Sequence, residues 1–496
     1  MSGVRKLKSW ALALETSIIP QMDKKYYITC AIPYVNAAPH VGHALEFVQG
    51  DVLARYHRLL GKDVILLSGG DENALKNVQA AENAGTPIQE FVDKNNKLFE
   101  ELIKNLNCKF DVWQKGSDKE KHFSSSQKLW ELCDKAGDIY QKEYSGLYCV
   151  GCETFYEKEE LNENGECFEH IGKKLEQVKE KNYFFKLSKY QDKLINLIQS
   201  DKLKITPTER KNEVLSFLKQ PLQDISISRS NERAKNWGVP VPNDDSQKIY
   251  VWFDALNIYQ TGVGFNSDNE KYKKYWPADV HVIGKGISRF HAIYWPAFLM
   301  SANLELPKEL FIHGYFTING QKMSKTLGNV IDPNDIINKY GADALRYYFL
   351  AKFSPFADGD FSEEKLKDVY NADLANGLGN LVSRVARLCE TSNFEFKSKE
   401  TNLYPEVTKA IEEFRFDTAM KFIWDKISQI DQDINKNEVW KLTGSELKER
   451  LQYYLEEIAE ITLNLKPFLP QTVEKIAKVF GGPVIRMQEP LFPRIK

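Results

Sequence analysis

The chain has 496 residues, 42% hydrophobic and 27% charged, with a formal net charge of −2 and seven cysteines. Its length sets a soft prior of roughly three or four domains, and its near-neutral charge excludes a generally basic nucleic-acid coat, leaving local patches for such binding. No apolar run approaches the roughly 20 residues that span a bilayer, and an odd number of scattered cysteines argues against a disulfide scaffold.

Residues 1–22 read as an N-terminal extension. They are mildly basic, and their apolar core, Trp10 to Leu14, is too short for a secretory signal. Residues 23–129 read as the first half of a doubly wound nucleotide-binding domain. The apolar run Tyr26 to Ile32 predicts a strand leading into Pro39-His40-Val41-Gly42-His43. From there Val41, Leu45, Val48, Val52, Tyr56 and Leu59 recur at helical spacing, Gly61 is placed to stop the helix, and Val64 to Leu67 predicts a second strand. Free amides and the positive dipole end at a helix start attract phosphate. Gly42 lets a ligand approach the backbone, and His40 and His43 can donate to charge developing on a phosphate. Gly69 to Asn73 is expected as a loop at a strand's carboxyl end, where such folds contact ligands, and helix is expected from Gln89 to Leu106.

Residues 130–236, rich in lysine and glutamate, read as an insertion splitting that domain. Its centre is Cys149-x2-Cys152-x14-Cys167-x2-His170. Two short ligand pairs separated by a loop suit a tetrahedral site, and three thiolates with one imidazole leave no open position, so the ion, zinc, is expected to be structural. The competing readings are a Cys-x-x-Cys redox pair and coincidence.

Residues 237–362 read as the second half. Strands are expected at Ile249–Asp254 and Asp279–Ile283, and a helix from about Ser288 to Ala302. Asn319-Gly320 between apolar runs is a hairpin signal, and Lys322-Met323-Ser324-Lys325-Thr326 follows it. Two lysines on a loop after a hairpin can close over a triphosphate. Asp332-Pro333 opens a further helix. Residues 363–496 read as a helical bundle with short connections and no appended domain.

The pair Pro-His-Val-Gly-His and Lys-Met-Ser-Lys-Thr resembles the two signatures of class I aminoacyl-tRNA synthetases. From Tyr26 to the terminal bundle the chain is similar to the methionyl-tRNA synthetase family, most clearly in Ala31 to Asn36, Tyr250 to Ala255, Ile283 to His291, Trp295-Pro296-Ala297 and Lys322 to Lys325. The resemblance implies an α/β fold: a Rossmann-like parallel sheet split by a zinc-knuckle insertion and followed by an α-helical anticodon-binding bundle. It implies activation of L-methionine with Mg-ATP and transfer to tRNA(Met), initiator included, by a cytoplasmic monomer with no membrane partner.

For the site, the resemblance implies a methionine pocket of Ala31, Ile32, Tyr34, Trp252, Ala255, Tyr259, Phe290 and His291, residue types suited to a flexible thioether. Asp71 would hold the α-amino group. His40, Gly42, His43 and Glu46 fall to ATP together with Lys322, Met323, Ser324 and Lys325, and Lys285 and Arg229 are further cations expected near the leaving pyrophosphate. Asn380 and Arg384 share a helix face and, with Trp440, would read unstacked anticodon bases. Three departures stand out. Gly286 occupies a position where relatives usually carry aspartate, Asn73-Ala74 replaces a His-Gly pair, and Leu256-Asn257 falls where proline is frequent. None touches the phosphate-handling residues, so an active enzyme is expected. The other readings are a cysteinyl enzyme, which needs a metal in its substrate pocket, and a silent RNA-binding relative supported by Gly286.

Overall fold

In a computed structural model, residues 25–151, 154–156, 158–168, 172–323, 328–396, 400–481, 485–486 and 488–495 are described. The predicted extension 1–22, together with Cys152, His170, Ser324 and Lys325, lies outside them.

Six parallel strands make the central sheet, labelled in chain order β1 (Lys25–Cys30), β2 (Asp63–Gly70), β3 (Val112–Lys115), β4 (Lys204–Thr206), β5 (Val280–Gly284) and β6 (Glu309–His313). Side by side they run β3-β2-β1-β5-β6-β4. The chain therefore winds outwards from β1 and later returns to its other flank, where Ile28 pairs with Val280 and Cys30 with Val282. Strand order reverses between β1 and β5, and the crevice outside the carboxyl ends there is where open α/β sheets bind ligands. Val64 to Leu67 are all buried, as a sheet covered on both faces requires.

Between β1 and β2 runs α1 (Val41–Leu59). Val41, Leu45, Val48, Val52 and Tyr56 of its expected apolar stripe are buried, and Gly61, at φ 76°, turns the chain into β2. The second strand extends further than expected, through Gly69 and Gly70. A Cβ on Gly69 would stand 2.0 Å from the Gln114 carbonyl oxygen, so glycine here serves close strand approach rather than a loop.

Two other expectations change. Tyr250 to Asp254 is not strand. Ile249 ends a strand that starts at Asp244, Tyr250 caps a helix, and Val251–Thr261 is helical. Every residue of that helix is buried, so its sequence carries no amphipathic period to separate it from a buried strand. The expected helix from Ser288 to Ala302 is composite: a π-wound turn, Phe290–Tyr294, feeds an α-helix, Trp295–Ser301.

Within 130–236 the backbone forms a four-stranded antiparallel sheet built on the hairpin Ile139–Cys149 and Glu176–Phe185. The same stretch sends β4 back to the central sheet beside β6, so it is not a body apart from that sheet. Phe316–Ile318 pairs with Gln321–Lys322 across Asn319 and Gly320, both at positive φ, the expected two-residue hairpin. From Glu363 onward the described elements are helical, the longest being Phe416–Lys436 and Gly444–Leu465.

A buried ion pair joins sheet and bundle. Asp51 of α1 meets Arg346 at 2.8 Å with neither side chain exposed, and Arg346 also donates to the carbonyls of Pro467 and Phe468. A buried charge pair persists only when its remaining donors are satisfied in this way.

Candidate active site

The opening of α1 is capped by its own histidines. His40 is the N-cap, and its Nδ1 accepts from the Gly42 amide at 3.1 Å, while His43 Nδ1 accepts from the His40 amide at 3.2 Å. The rings stack with centroids 4.0 Å apart. This reciprocal arrangement is a capping box made of imidazoles. Because each Nδ1 is an acceptor, each neutral ring carries its proton on Nε2. Burial pushes His40 down to about 4, and burial with the neighbouring His40 ring pushes His43 well below the usual histidine range. The helix start thus presents two neutral donors at the positive end of its dipole, suited to phosphate oxygens.

These groups line a cavity of about 560 Å³ with Ala31, Ile32, Tyr34, Glu46, Trp252 and Met323. A Cβ on Gly42 would lie 3.5 Å from Met323 Cε, which places the start of the KMSKT loop over the helix opening. Glu46 spans the floor: its carboxylate accepts from the Ala31 amide at 2.7 Å and meets His313 Nε2 at 2.9 Å. His313 escaped sequence analysis, although its place at the carboxyl end of β6 is where ligand-side groups accumulate.

Of the residues expected around methionine, Ala31, Ile32, Tyr34 and Trp252 face the cavity. Trp252 stacks flat on Phe290 at 3.6 Å and takes Tyr34 edge-on at 6.2 Å. Behind it, buried Tyr259 and His291 are joined through the Tyr259 hydroxyl and His291 Nε2 at 2.8 Å, while His291 Nδ1 bonds the Ile287 carbonyl. Burial holds His291 down to about 4. Ala255 is buried on the same helix as Trp252. Asp71 is buried at the end of β2, bridged to Tyr34 in parallel fashion.

Two departures are absorbed behind this pocket. The Asn73 amide donates to the Gly116 carbonyl and to Asp254 at 2.6 Å, and the Asn257 amide donates to Ser125. Both belong to a buried polar network rather than to the cavity.

Neither of the two extra cations is among the residues lining this cavity. Lys285 Nζ is bonded to Asp358 at 2.6 Å. Arg229 sits in a separate cavity against the insertion, with Tyr250 and Tyr148 rings 4.5 and 5.1 Å from its guanidinium and the Ser228 carbonyl accepting from it at 2.7 Å. Its position in the strand Ser228–Ser230, paired to Asp244–Ile249, directs it there.

Of the metal set, Cys149 and Cys167 are buried with Sγ atoms 3.3 Å apart. That is far beyond a disulfide bond and near the about 3.8 Å between two sulfurs on one tetrahedral zinc. The pair fits half of the expected set. Among the described residues no group of three or more metal-binding side chains is assembled.

On the bundle, Asn380 is exposed and Trp440 is 52% exposed. Arg384 lies 6.0 Å from the Trp440 ring, held by Asp431 at 2.5 Å and Asn435 at 2.7 Å. The three expected residues share one surface. Asp431 and Asn435, which aim the arginine, come from another helix and gave no sequence signal.

Comparison with known proteins agrees with this geometry. Residues 26–386 match the family described as tRNA synthetases class I (M), and residues 395–496 the anticodon-binding domain of tRNA ligase. The methionine–tRNA ligase of Brucella melitensis is 40% identical over 94% of this chain and 93% of its own length. That of Thermotoga maritima is 40% identical over 91% of this chain and 74% of its own. The structure superposes on Mycobacterium tuberculosis methionyl-tRNA synthetase in complex with methionyl-adenylate with a TM-score of 0.88, at 34% identity, covering 95% of this chain and all of that one. Sheet topology, helix opening and both family matches place the chain in the class I methionyl-tRNA synthetase family.

Proposed function

We propose that the chain activates L-methionine with Mg-ATP and transfers it to the 3′-terminal ribose of tRNA(Met), initiator included, acting in the cytoplasm as a monomer. The observation that carries the chemistry is the doubly capped helix start, whose two Nε2–H donors line one cavity with Met323. The methionine carboxylate attacks the α-phosphorus and pyrophosphate leaves. The ribose hydroxyl then attacks the carbonyl of the adenylate, and AMP leaves. His40 and His43 donate to phosphate oxygens that gain charge in the first step. Asp71 fixes the α-amino group, Lys322 and Lys325 neutralise the triphosphate, and positioning supplies most of the remainder. On the bundle, Asn380, Arg384 and Trp440 read the anticodon.

In the same reading residues 1–22 are an extension, 23–129 and 237–362 the catalytic halves, 130–236 the zinc-bearing insertion and 363–496 the anticodon domain. Zinc, held by Cys149, Cys152, Cys167 and His170, supplies a structural crosslink of the knuckle and no catalysis. The close sulfur pair supports it. Elemental analysis is expected to give one zinc per chain, lost in Cys167→Ser; an unchanged metal content in that variant overturns the assignment.

The test of function is exchange of labelled pyrophosphate into ATP with methionine, cysteine, leucine or no amino acid. Exchange with methionine alone is expected. Exchange driven by cysteine overturns the pocket assignment, and no exchange with any amino acid overturns the activity.

A further inference from the structure

Gly286 leaves room that another residue fills. A Cβ built at 286 would stand 2.0 Å from the Tyr315 hydroxyl oxygen, and one at Gly284 would stand 2.9 Å from Tyr315 Cε1. Two glycines at the carboxyl end of β5 therefore make the seat of one tyrosine ring. The Gly286 amide donates to the Tyr315 hydroxyl at 2.5 Å. The backbone of Tyr315 is fixed on both sides: its amide donates to Asp358 at 2.9 Å and its carbonyl accepts from the Gly359 amide at 2.9 Å. Asp358 also takes Lys285. Burial opposes its charge, yet the lysine and the Tyr315 amide hold its carboxyl below the usual range.

Tyr315 lines the same cavity as the helix opening. The same lining holds His40, Gly42 and His43, suited to phosphate, and the apolar Met323 and Val330, suited to a base. The part of a nucleotide that lies between phosphate and base is the sugar, and the sugar offers hydroxyls.

We infer that Tyr315, seated in the space vacated at Gly286, is a nucleotide-binding residue whose phenol contacts the ribose hydroxyls of ATP. The inference rests on the adenylating function proposed above. It gives the aspartate-to-glycine departure a physical account, because a carboxylate at 286 and this tyrosine position exclude one another. A neutral hydroxyl stands where a carboxylate would otherwise be. Asp358 is the positioning residue, fixing both the tyrosine backbone and Lys285.

The test measures binding of ATP, 2′-deoxy-ATP and 3′-deoxy-ATP by titration calorimetry on the full chain, alongside methionine-dependent pyrophosphate exchange. The unmodified chain is expected to prefer ATP over at least one deoxynucleotide by about tenfold. Tyr315→Phe is expected to narrow that preference to under about threefold, with KM for methionine unchanged within about twofold. Gly286→Ala is expected to weaken ATP binding while Tyr315 is present and to add little once Tyr315→Phe has removed the colliding oxygen. Tyr315→Phe with the parent's sugar preference, or independent effects of the two substitutions, overturns the inference. Exchange with methionine alongside that result leaves the function standing and only this residue's role refuted. Sugar discrimination abolished by Tyr315→Phe without methionine exchange upholds the residue and refutes the function. No ATP binding at all refutes both.

Discussion

The cavity at the switch point and the exposed face of the bundle solve recognition in opposite ways. In the cavity, the chemical groups are fixed by backbone: the His40 and His43 rings accept from the Gly42 and His40 amides, and Glu46 is tied to the Ala31 amide. On the bundle, Arg384 and Trp440 stand at the surface, and side chains of a neighbouring helix aim the arginine. A transition state whose charge appears at one place needs donors that do not reorganise. Unstacked bases need stacking area and adaptable hydrogen bonds. On the proposed function, the difference teaches that rigidity goes with the place where charge develops and exposure with the place where a large ligand docks.

The sharpest way to break this comparison is to cut the joint. Arg346→Ala leaves Asp51 buried without that partner, and denaturant unfolding is expected to show a loss of about 3–5 kcal/mol. A loss under about 1 kcal/mol would mean that the pair does not tie the bundle to α1. Next in size is His40→Asn, which keeps a good N-cap but removes the Nε2 donor. Exchange is expected to fall about 100-fold or more with stability nearly unchanged, whereas His40→Ala also costs about 1 kcal/mol of helix stability. Equal activity in parent and His40→Asn would reduce the histidine to a cap.

Arg384→Ala separates the two regions directly. Aminoacylation of tRNA is expected to drop about tenfold or more in kcat/KM through unread bases, while pyrophosphate exchange stays within about twofold. A matching fall in exchange would place Arg384 in the folding of the chain, not in reading. The last prediction concerns pH dependence. His40 and His291 are held to about 4, His57 to about 3, and His43 and His281 well below the usual value, in each case first by burial. Unfolded histidines titrate near about 6.5, so between roughly pH 4 and 6.5 the unfolded chain binds more protons. Stability therefore rises with pH across that window and is lost as pH falls through it. Calorimetric Tm against pH checks the sign, and a Tm that climbs on acidification contradicts it.

Much of the fold was legible because amphipathic period and turn chemistry are local. The stripe of α1, the stop at Gly61 and the Asn319-Gly320 hairpin appear as read. The fully buried helix from Val251 was misread as strand because burial on all sides erases the period. In the site, motif residues such as His40, Gly42, His43 and Met323 were legible, since each motif is contiguous. His313, Tyr315, Asp358, Asp431 and Asn435 were not, because they matter only through partners distant in sequence.

By itself, then, the sequence determined where a helix starts on two histidines, which loop follows the hairpin and which cysteines pair in spacing. Only the tertiary structure decided that the two histidines cap each other as neutral donors, that Lys285 rests on Asp358, that Arg229 turns to another cavity and that Tyr315 occupies the room at Gly286. Local spacing fixes what a residue can do, whereas its charge state, its partner and its direction are set by the packing of strands and helices far apart along the chain.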